Sequence, residues 1–317
     1  MAIIGLVLGI GLGAFTSLDL GDRAAVSEVQ SLLRGANNWA VARQASARVR
    51  IDPVQGTLVA EGLHPVGTWQ FEELPLSGAF DLGGATEGGE LDAAGWQGKA
   101  LSFLRGGPRA RVVVPVQRDS AWDLSEGFSV RIRVRREAAS GGQVLAIGDA
   151  LRLEVDDGGR VIAEIRTTMI DELGIERDGG QNRLRTPPGV VPRGEWVELV
   201  VDYDRRNLRI LADGMLAASL EQTAAVVDLQ GSLEFGGGGR PFPGSIDSCL
   251  VSVVGAEDRV VLPEGVLLPP DSPKEVRFAP GGGLDRTLHS EPVPLRLLSV
   301  DGRERVIHVS LYGTVQQ

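Results

Sequence analysis

Hydrophobic and polar positions change their spacing along this chain. An uncharged apolar run occupies positions 1–15. From Ala25 onward, apolar residues recur every three or four positions, at Val26, Val29, Leu33, Ala36 and Ala40. This spacing is the period of an amphipathic helix, whereas later segments alternate at a period of two. The pattern therefore predicts an N-terminal helix that extends to about position 47 and is followed by strands.

The period-two segments predict an antiparallel β-sandwich. The clearest alternating runs are 128–134, 151–155 and 161–165, and clusters of turn residues separate such runs. Asp213-Gly214 and Asp301-Gly302 each stand between two alternating runs, which is a strong hairpin signal. The 43 glycines and 17 prolines follow no collagen period, so the composition also favours a turn-rich β protein.

Composition and charge exclude several classes of function. The 32 basic and 42 acidic residues give a net charge of −10 without a long basic cluster, so nucleic acid is not an expected partner. A single cysteine, Cys249, can form neither an internal disulfide nor a CxxC metal knuckle. Three dispersed histidines cannot build a His-rich metal site. Zinc and thiol chemistry are therefore not expected.

The N-terminal segment resembles the spine helix of type IV pilin-like proteins, in particular minor (H-type) pseudopilins of type II secretion and FimT-like pilins. The resemblance is carried by AIIGLVLGIGLGAF at 2–15 and the helix that follows to about 47. The leader of that family, its Gly-Phe or Gly-Met junction and the following Glu are absent. We interpret Met1 as a trimmed or mis-assigned start. An unprocessed degenerate relative, or an apolar helix buried in a soluble core, are the alternatives.

The pilin resemblance implies a single pass through the bacterial inner membrane, with the bulk of the chain periplasmic or extracellular. Helices packed in lipid associate through small residues that allow close approach. The predicted assembly face on other pilin-like subunits consists of Gly5, Gly9, Gly11, Gly13 and Ala14.

Six sequence blocks in the middle of the chain resemble, in order, the bacterial laminin G-like, concanavalin A-like family. They are WQFEEL (69–74), GWQGKALSF (95–103), VVVP (112–115), AWDLSEGFSVRIRVR (121–135), GEWVELVVDYDRRNLRILADGMLAA (194–218) and LEFGGGGRPFPGSIDSCLVS (233–252). The resemblance implies a jelly-roll sandwich that binds carbohydrate or protein. On this interpretation Trp196, Val200 and Tyr203 lie on strand faces.

The same resemblance implies a calcium site. Asp247 of the GSID sequence, with Glu72 or Glu73 of WQFEEL, would supply the carboxylate oxygens that hard cations prefer. The alternative is that these residues are hydrogen-bonded structural acids. Calcium is the sole cofactor that the sequence suggests.

No catalytic residue is predicted. Some jelly rolls hydrolyse glycans through paired carboxylates on one strand. Glu154 and Asp156 form one such pair, but the next positions on that face, Gly158 and Arg160, do not extend it. The expectation is therefore a protein that is not an enzyme.

The two ends of the chain are predicted to belong together. A hairpin is expected at 47–60, and the C-terminal part resembles the carboxyl half of the same pilins. The residues that carry this resemblance are Phe278, Pro280, Gly282, Arg305, Ile307, Val309, Gly313 and Val315. The predicted organisation is a spine helix at 1–47, a small α+β pilin-like domain formed by 48–66 and 256–317, and an inserted laminin G-like sandwich at 67–255.

These observations favour a membrane-anchored subunit of a type II secretion or type IV pilus-like filament that displays a binding domain. Its expected partners are other pilin-like subunits, the inner membrane, and a polysaccharide or protein ligand. Two alternatives stay open: a surface carbohydrate-binding protein without a filament role, and a glycan-cleaving enzyme on the jelly roll.

Overall fold

A computed structural model describes residues 2–43, 45–74, 85–92, 94–105, 107–116, 122–170, 175–227, 231–286 and 288–317. The side chains of positions 2–20, 85, 170 and 176 lie outside this description. The described residues form one long helix, α1 (Ala2–Arg43). The strands are β1 (Ala47–Asp52), β2 (Thr57–Trp69), β3 (Ala85–Glu87), β4 (Glu90–Asp92), β5 (Ala100–Ser102), β6 (Arg111–Pro115), β7 (Phe128–Arg136), β8 (Gly142–Ile147), β9 (Leu151–Val155), β10 (Val161–Ile170), β11 (Glu176–Arg185), β12 (Trp196–Tyr203), β13 (Asn207–Ala212), β14 (Met215–Glu221), β15 (Ser232–Gly236), β16 (Gly244–Val261), β17 (Val266–Leu267), β18 (Glu275–Phe278), β19 (Val293–Ser299), β20 (Glu304–Val309) and β21 (Val315–Gln316). The prediction of a mainly β chain with an N-terminal helix is confirmed.

The chain forms two compact units. One, called here the split unit, combines positions 1–63 with 255–317, and the other, the sandwich unit, comprises His64–Val254. The sequence predicted an inserted sandwich at 67–255. The assignment of the split unit to the pilin-like family stays a prediction.

The split unit has a core to which both ends of the chain contribute. The apolar stripe of α1 contacts β1, β17, β18, β20 and β21 and shares one hydrophobic core with them. Its buried members are Ala25, Val26, Val29, Leu32, Leu33, Ala36 and Ala40. Strand β1 pairs with β2 on one side and β18 on the other, so Val49 lies opposite both Ala60 and Val276. The helix period and both predicted hairpins of this unit are confirmed, because β19 and β20 also pair across the turn at 301–302.

The sandwich unit has two sheets with a single core between them. The first sheet contains the strand order β14-β13-β12-β7-β16, with β5 and β4 beyond β16. The second has the order β11-β10-β9-β8-β15-β6-β3. Alternation in β7 buries Val130, Ile132 and Val134, and alternation in β9 buries Leu151 and Leu153. The predicted sandwich is confirmed, because each sheet presents one apolar face to the shared core.

The predicted assembly face lies in α1, at positions whose side chains fall outside the described residues. Gly5, Gly9, Gly11, Gly13 and Ala14 all belong to this helix. Among the described segments, none of the helices combines the length and apolar character needed to cross a bilayer. The assembly face therefore stays a prediction.

Candidate functional site

The outward face of the first sheet carries a row of arginines. Alternation along β7 buries its valines and isoleucine and turns Arg131, Arg133 and Arg135 away from the core. On the neighbouring strand β12, Glu198 lies directly opposite Arg133 and Trp196 lies opposite Arg135. Residues that are directly opposite on one face of an antiparallel pair interact across the strands. This face therefore combines positive charge, a carboxylate and an indole ring.

A cleft of about 270 Å³ lies on this face. Its lining consists of Trp96, Arg133, Trp196, Val197, Glu198 and Asp213. The Trp96 side chain is 51% exposed, which is informative because large aromatic side chains are usually well buried. The guanidinium carbon of Arg133 lies 5.2 Å from the centre of the Trp96 ring, and that of Arg135 lies 4.9 Å from the Trp196 ring. Each indole ring is thus held by a cation–π contact while it borders the cleft.

Two carboxylates and one guanidinium supply the polar groups of the cleft. Glu198 Oε2 accepts a hydrogen bond of 3.0 Å from Arg133 Nη2. Asp213 stands in the turn between β13 and β14, where its Oδ1 accepts a hydrogen bond of 2.9 Å from the backbone N–H of Glu198. Glu198 Oε1 also lies 4.0 Å from Arg131 Nε, at ion-pair distance. Among the described residues, no hydrogen bond engages this oxygen, Asp213 Oδ2 or Arg133 Nη1. The cleft therefore retains both acceptor and donor capacity beside its indole rings.

Trp96 belongs to the loop 94–99 between β4 and β5, which we call the Trp96 loop. The backbone N–H of Gln97 donates a hydrogen bond of 2.9 Å to Asp247 Oδ2. The backbone N–H of Lys99 donates one of 3.2 Å to Glu72 Oε2. Two of the residues predicted to bind calcium thus contact the same loop.

The structure does not test the calcium prediction itself. Within the residues that the structure describes, no three His, Cys, Asp or Glu side chains are grouped closely enough to hold a metal ion. Glu73 is exposed, Glu72 is exposed and Asp247 is 2% exposed. Calcium binding by Asp247 with Glu72 or Glu73 stays a prediction.

The acid pair that the sequence singled out belongs to a turn. Burial alone would raise the pKa of Asp156, but hydrogen bonds from the backbone N–H groups of Arg160 and Gly158, together with the charge and side chain of Arg160, lower that pKa below its ordinary value. Glu154 lies on the outward face of β9 before the turn. Asp156 therefore caps the connection between β9 and β10.

Cys249 is a core residue of the first sheet. Its side chain is 1% exposed, and burial raises the pKa of its thiol. A thiol that stays protonated is a poor nucleophile and a poor metal ligand. Cys249 therefore packs as a small apolar residue of the core.

The sequence analysis did not predict the cleft, although the alternation around Trp196 indicates one of its two aromatic walls. The prediction placed Trp196 on a strand face without saying which one. In WVELVVDY, Trp196 shares its face with Glu198, while Val197 and Leu199 occupy the other, so the alternation alone indicates an outward indole. Trp96 follows no alternating pattern, and its exposure could not be inferred from the Gly-Trp-Gln-Gly sequence around it.

The fold and the cleft define a β-sandwich domain with an aromatic surface site. No protein-family model matches the chain, and no curated protein matches it. Domain 4 of AbnA, an extracellular arabinanase of Geobacillus stearothermophilus solved with arabinotriose, is 18% identical with a TM-score of 0.43 over 62% of this chain and 95% of that one.

Two further solved structures show a similar level of likeness. A botulinum neurotoxin type C structure, described for cell entry through two ganglioside molecules, is 11% identical with a TM-score of 0.40 over 62% of this chain and 47% of that one. Trypanosoma rangeli sialidase in complex with sialic acid is 13% identical with a TM-score of 0.40 over 59% of this chain and 30% of that one. This chain thus spans about half of the neurotoxin chain and less than a third of the sialidase. Likenesses this distant do not assign a function.

Proposed function

We propose that the sandwich unit binds carbohydrate in the cleft between Trp96 and Trp196. The observation that carries this proposal is the pair of indole rings beside polar groups that retain hydrogen-bonding capacity. A sugar ring presents apolar C–H groups on its faces and hydroxyl groups around its edge. Aromatic rings provide area for the faces, and a few well-placed polar groups fix orientation.

The charges of the cleft favour a neutral saccharide. Glu198 Oε1 and Asp213 Oδ2 are acceptors, and a sugar hydroxyl can donate to either of them. Arg133 can donate to the oxygen of the same or a neighbouring hydroxyl, since its guanidinium has several N–H donors. An anionic sugar would bring its carboxylate close to two carboxylates of the protein, and like charges repel.

The proposal is tested by the mobility of the full chain in gels that contain neutral or acidic polysaccharides, followed by calorimetric titration with oligosaccharides of any polysaccharide that retards it. Retardation by at least one neutral polysaccharide is expected. Failure of every neutral polysaccharide to retard the chain, or retardation by acidic ones alone at low ionic strength, would contradict the proposal.

The remaining functional expectations stay predictions. No observation on the described residues favours a filament role, pilin partners or an inner-membrane location. The expectation that the chain is not an enzyme is likewise untested. Incubation with any polysaccharide that binds, followed by measurement of released reducing ends, would test it.

A further inference from the structure

The Trp96 loop is held at three points along its length. Asp247 accepts from the backbone of Gln97, and Glu72 accepts from the backbone of Lys99. At the start of the loop, Arg135 Nη1 donates a hydrogen bond of 2.9 Å to the carbonyl of Ala94. Trp96 lies between the attachments at Ala94 and Gln97. The two carboxylates therefore hold the backbone that follows the indole ring, at Gln97 and Lys99.

An irregularity in β16 allows Asp247 to face this loop. Asp247 lies opposite Arg133 of β7, but the next pairing joins Cys249 to Ile132, so Ser248 is an extra residue. Ser248 has a φ of +44°, a left-handed conformation that non-glycine residues rarely adopt. Shifting a strand by one residue moves its side chains to the other face. Without the bulge, Asp247 and Cys249 would share one face.

The bulge thus places Asp247 and Cys249 on opposite faces of the sheet. It directs Asp247 toward the loop while Cys249 and Val251 remain in the core, where they are 1% and 0% exposed. A left-handed serine and a buried carboxylate both cost free energy unless the surroundings compensate. The hydrogen bond to Gln97 gives the Asp247 carboxylate a partner. The bulge and the hydrogen-bonded carboxylate together indicate that Asp247 fixes the position of the Trp96 loop.

The Glu72 carboxylate packs so closely against the Trp96 loop that position 98 requires glycine. Gly98 has a φ of +82°, and a Cβ added there would lie 2.2 Å from Glu72 Oε1 and 2.6 Å from Oε2. The carboxylate therefore packs directly against the backbone of Gly98 and reaches the N–H of Lys99. A side chain at position 98 would displace either Glu72 or the loop.

We propose that Asp247 and Glu72 are positioning residues, which hold the Trp96 loop so that the indole lies over Arg133 and forms one wall of the cleft before any ligand arrives. Their role requires no metal ion. Its consequence for sugar affinity rests on the proposed function, because a pre-ordered binding residue loses less conformational freedom on binding. The positioning itself is measurable without a sugar.

The experiment uses the full chain labelled with 5-fluorotryptophan, with the Trp96 resonance assigned by Trp96→Phe. In Asp247→Ala, this resonance should move toward the position of a solvated indole, and the Gln97 amide should exchange about tenfold faster. Asp247→Asn keeps an acceptor oxygen and should restore most of both signals. Asp178→Ala is the matched control, because Asp178 also accepts a backbone N–H, from Gly180, but lies in β11 of the other sheet. The control should leave both signals unchanged.

An unchanged Trp96 resonance and unchanged Gln97 exchange in a folded Asp247→Ala variant would overturn the proposal, whatever the sugar result. If that variant does not fold, Glu72→Ala, at an exposed residue, tests the same idea through the exchange of the Lys99 amide. A calcium-dependent rise in melting temperature that Asp247→Asn abolishes would also overturn it, since the carboxylates would then hold an ion. A loosened Trp96 in a chain that binds no saccharide would support positioning and refute the proposed function.

Discussion

Two clefts lie on the outward faces of the two sheets of the sandwich unit, and different kinds of side chain line them. The first, of about 270 Å³, is bordered by Trp96 and Trp196. The second, of about 320 Å³, lies on β9, β10 and β11, and none of the described residues that line it is aromatic. There Arg166 makes ion pairs of 2.8 Å with both Asp149 and Asp178. The larger cleft thus has its most prominent charges already engaged with one another.

The volume of a cleft therefore does not identify the binding site. Arg166 uses both terminal nitrogens on protein carboxylates, and the hydrogen bond from Arg166 lowers the pKa of Asp178 below its ordinary value. Exposed ion pairs of this kind are common on protein surfaces and contribute little to stability. Arg133 donates to Glu198 through Nη2 alone, and its Nη1 makes no hydrogen bond with the described residues. The exposed Trp96 ring and the half-buried Trp196 ring beside such groups distinguish the first cleft.

The largest expected effect comes from removing the rings. Trp196→Ala and Trp96→Ala should each weaken saccharide affinity by about thirtyfold, since central aromatic residues typically contribute about 2 kcal/mol to binding. Tyr312→Ala is the control, because Tyr312 is 82% exposed but lies in the split unit. Calorimetric titration checks the three variants. Equal affinity in the tryptophan variants and the control would place the binding site elsewhere.

The second prediction concerns alkaline pH and the sheet beneath the first cleft. Burial raises the pKa of Tyr203 to about 12, and its hydroxyl donates to the carbonyl of Ala224. A folded Tyr203 keeps its proton up to that pH, whereas an unfolded tyrosine loses it near pH 10. Unfolding then releases a proton, so the free energy of unfolding falls as the pH rises from about 10 to 12.

Denaturant titrations of the wild type and Tyr203→Phe across this range check the alkaline prediction. The advantage of the wild type over the variant should shrink by about 1 to 2 kcal/mol toward pH 12. Cys249 also destabilises the fold in alkali because burial raises its pKa, but it contributes equally to both proteins and cancels in the difference. A difference that stays constant with pH would show that Tyr203 titrates normally.

A smaller effect is expected from neutralising one acceptor of the first cleft. Glu198→Gln keeps the shape of the side chain and removes the charge that pairs with Arg133. Loss of a charged hydrogen-bond acceptor should reduce saccharide affinity about fivefold, near 1 kcal/mol. Asp178→Asn makes the corresponding change in the second cleft and should leave affinity unaltered. If both variants lose affinity equally, the distinction between the clefts fails.

The smallest effect is expected from breaking the ion pairs of the second cleft. Arg166→Ala should leave the denaturant midpoint at neutral pH nearly unchanged and leave saccharide affinity unchanged. The lowered pKa of Asp178 means that its favourable interaction is present above its unfolded pKa and is lost as the pH falls through the folded value. The difference between wild type and variant should therefore shrink in acid. A loss of saccharide affinity in Arg166→Ala would assign the ligand to the second cleft.

The sequence determined the elements because local periodicity records which face of each element is buried. The helix stripe from Ala25 to Ala40, the alternation of β7 and the turn at Asp213-Gly214 all appear as predicted. These signals act within a few residues along the chain, where spacing and turn chemistry are sufficient. The sequence could therefore predict a sandwich without naming its surface site.

Tertiary structure decided which aromatic residues are available to a ligand. Trp69 and Trp96 both occur as Trp-Gln, yet Trp69 is fully buried and Trp96 is 51% exposed. The Trp69 ring packs 5.6 Å from that of Phe235, whereas Trp96 rests on Arg133. Each partner is distant along the chain, and no local pattern encodes it.

Asp247 illustrates the same limit for a polar residue. The sequence suggested Asp247 as a calcium ligand, whereas its observed hydrogen-bond partner is the backbone of Gln97, 150 residues away. A carboxylate satisfies a metal ion or a backbone N–H with the same oxygen, so its residue type does not reveal which partner it has. Only the packing of the Trp96 loop against the bulge in β16 shows that this oxygen is already engaged.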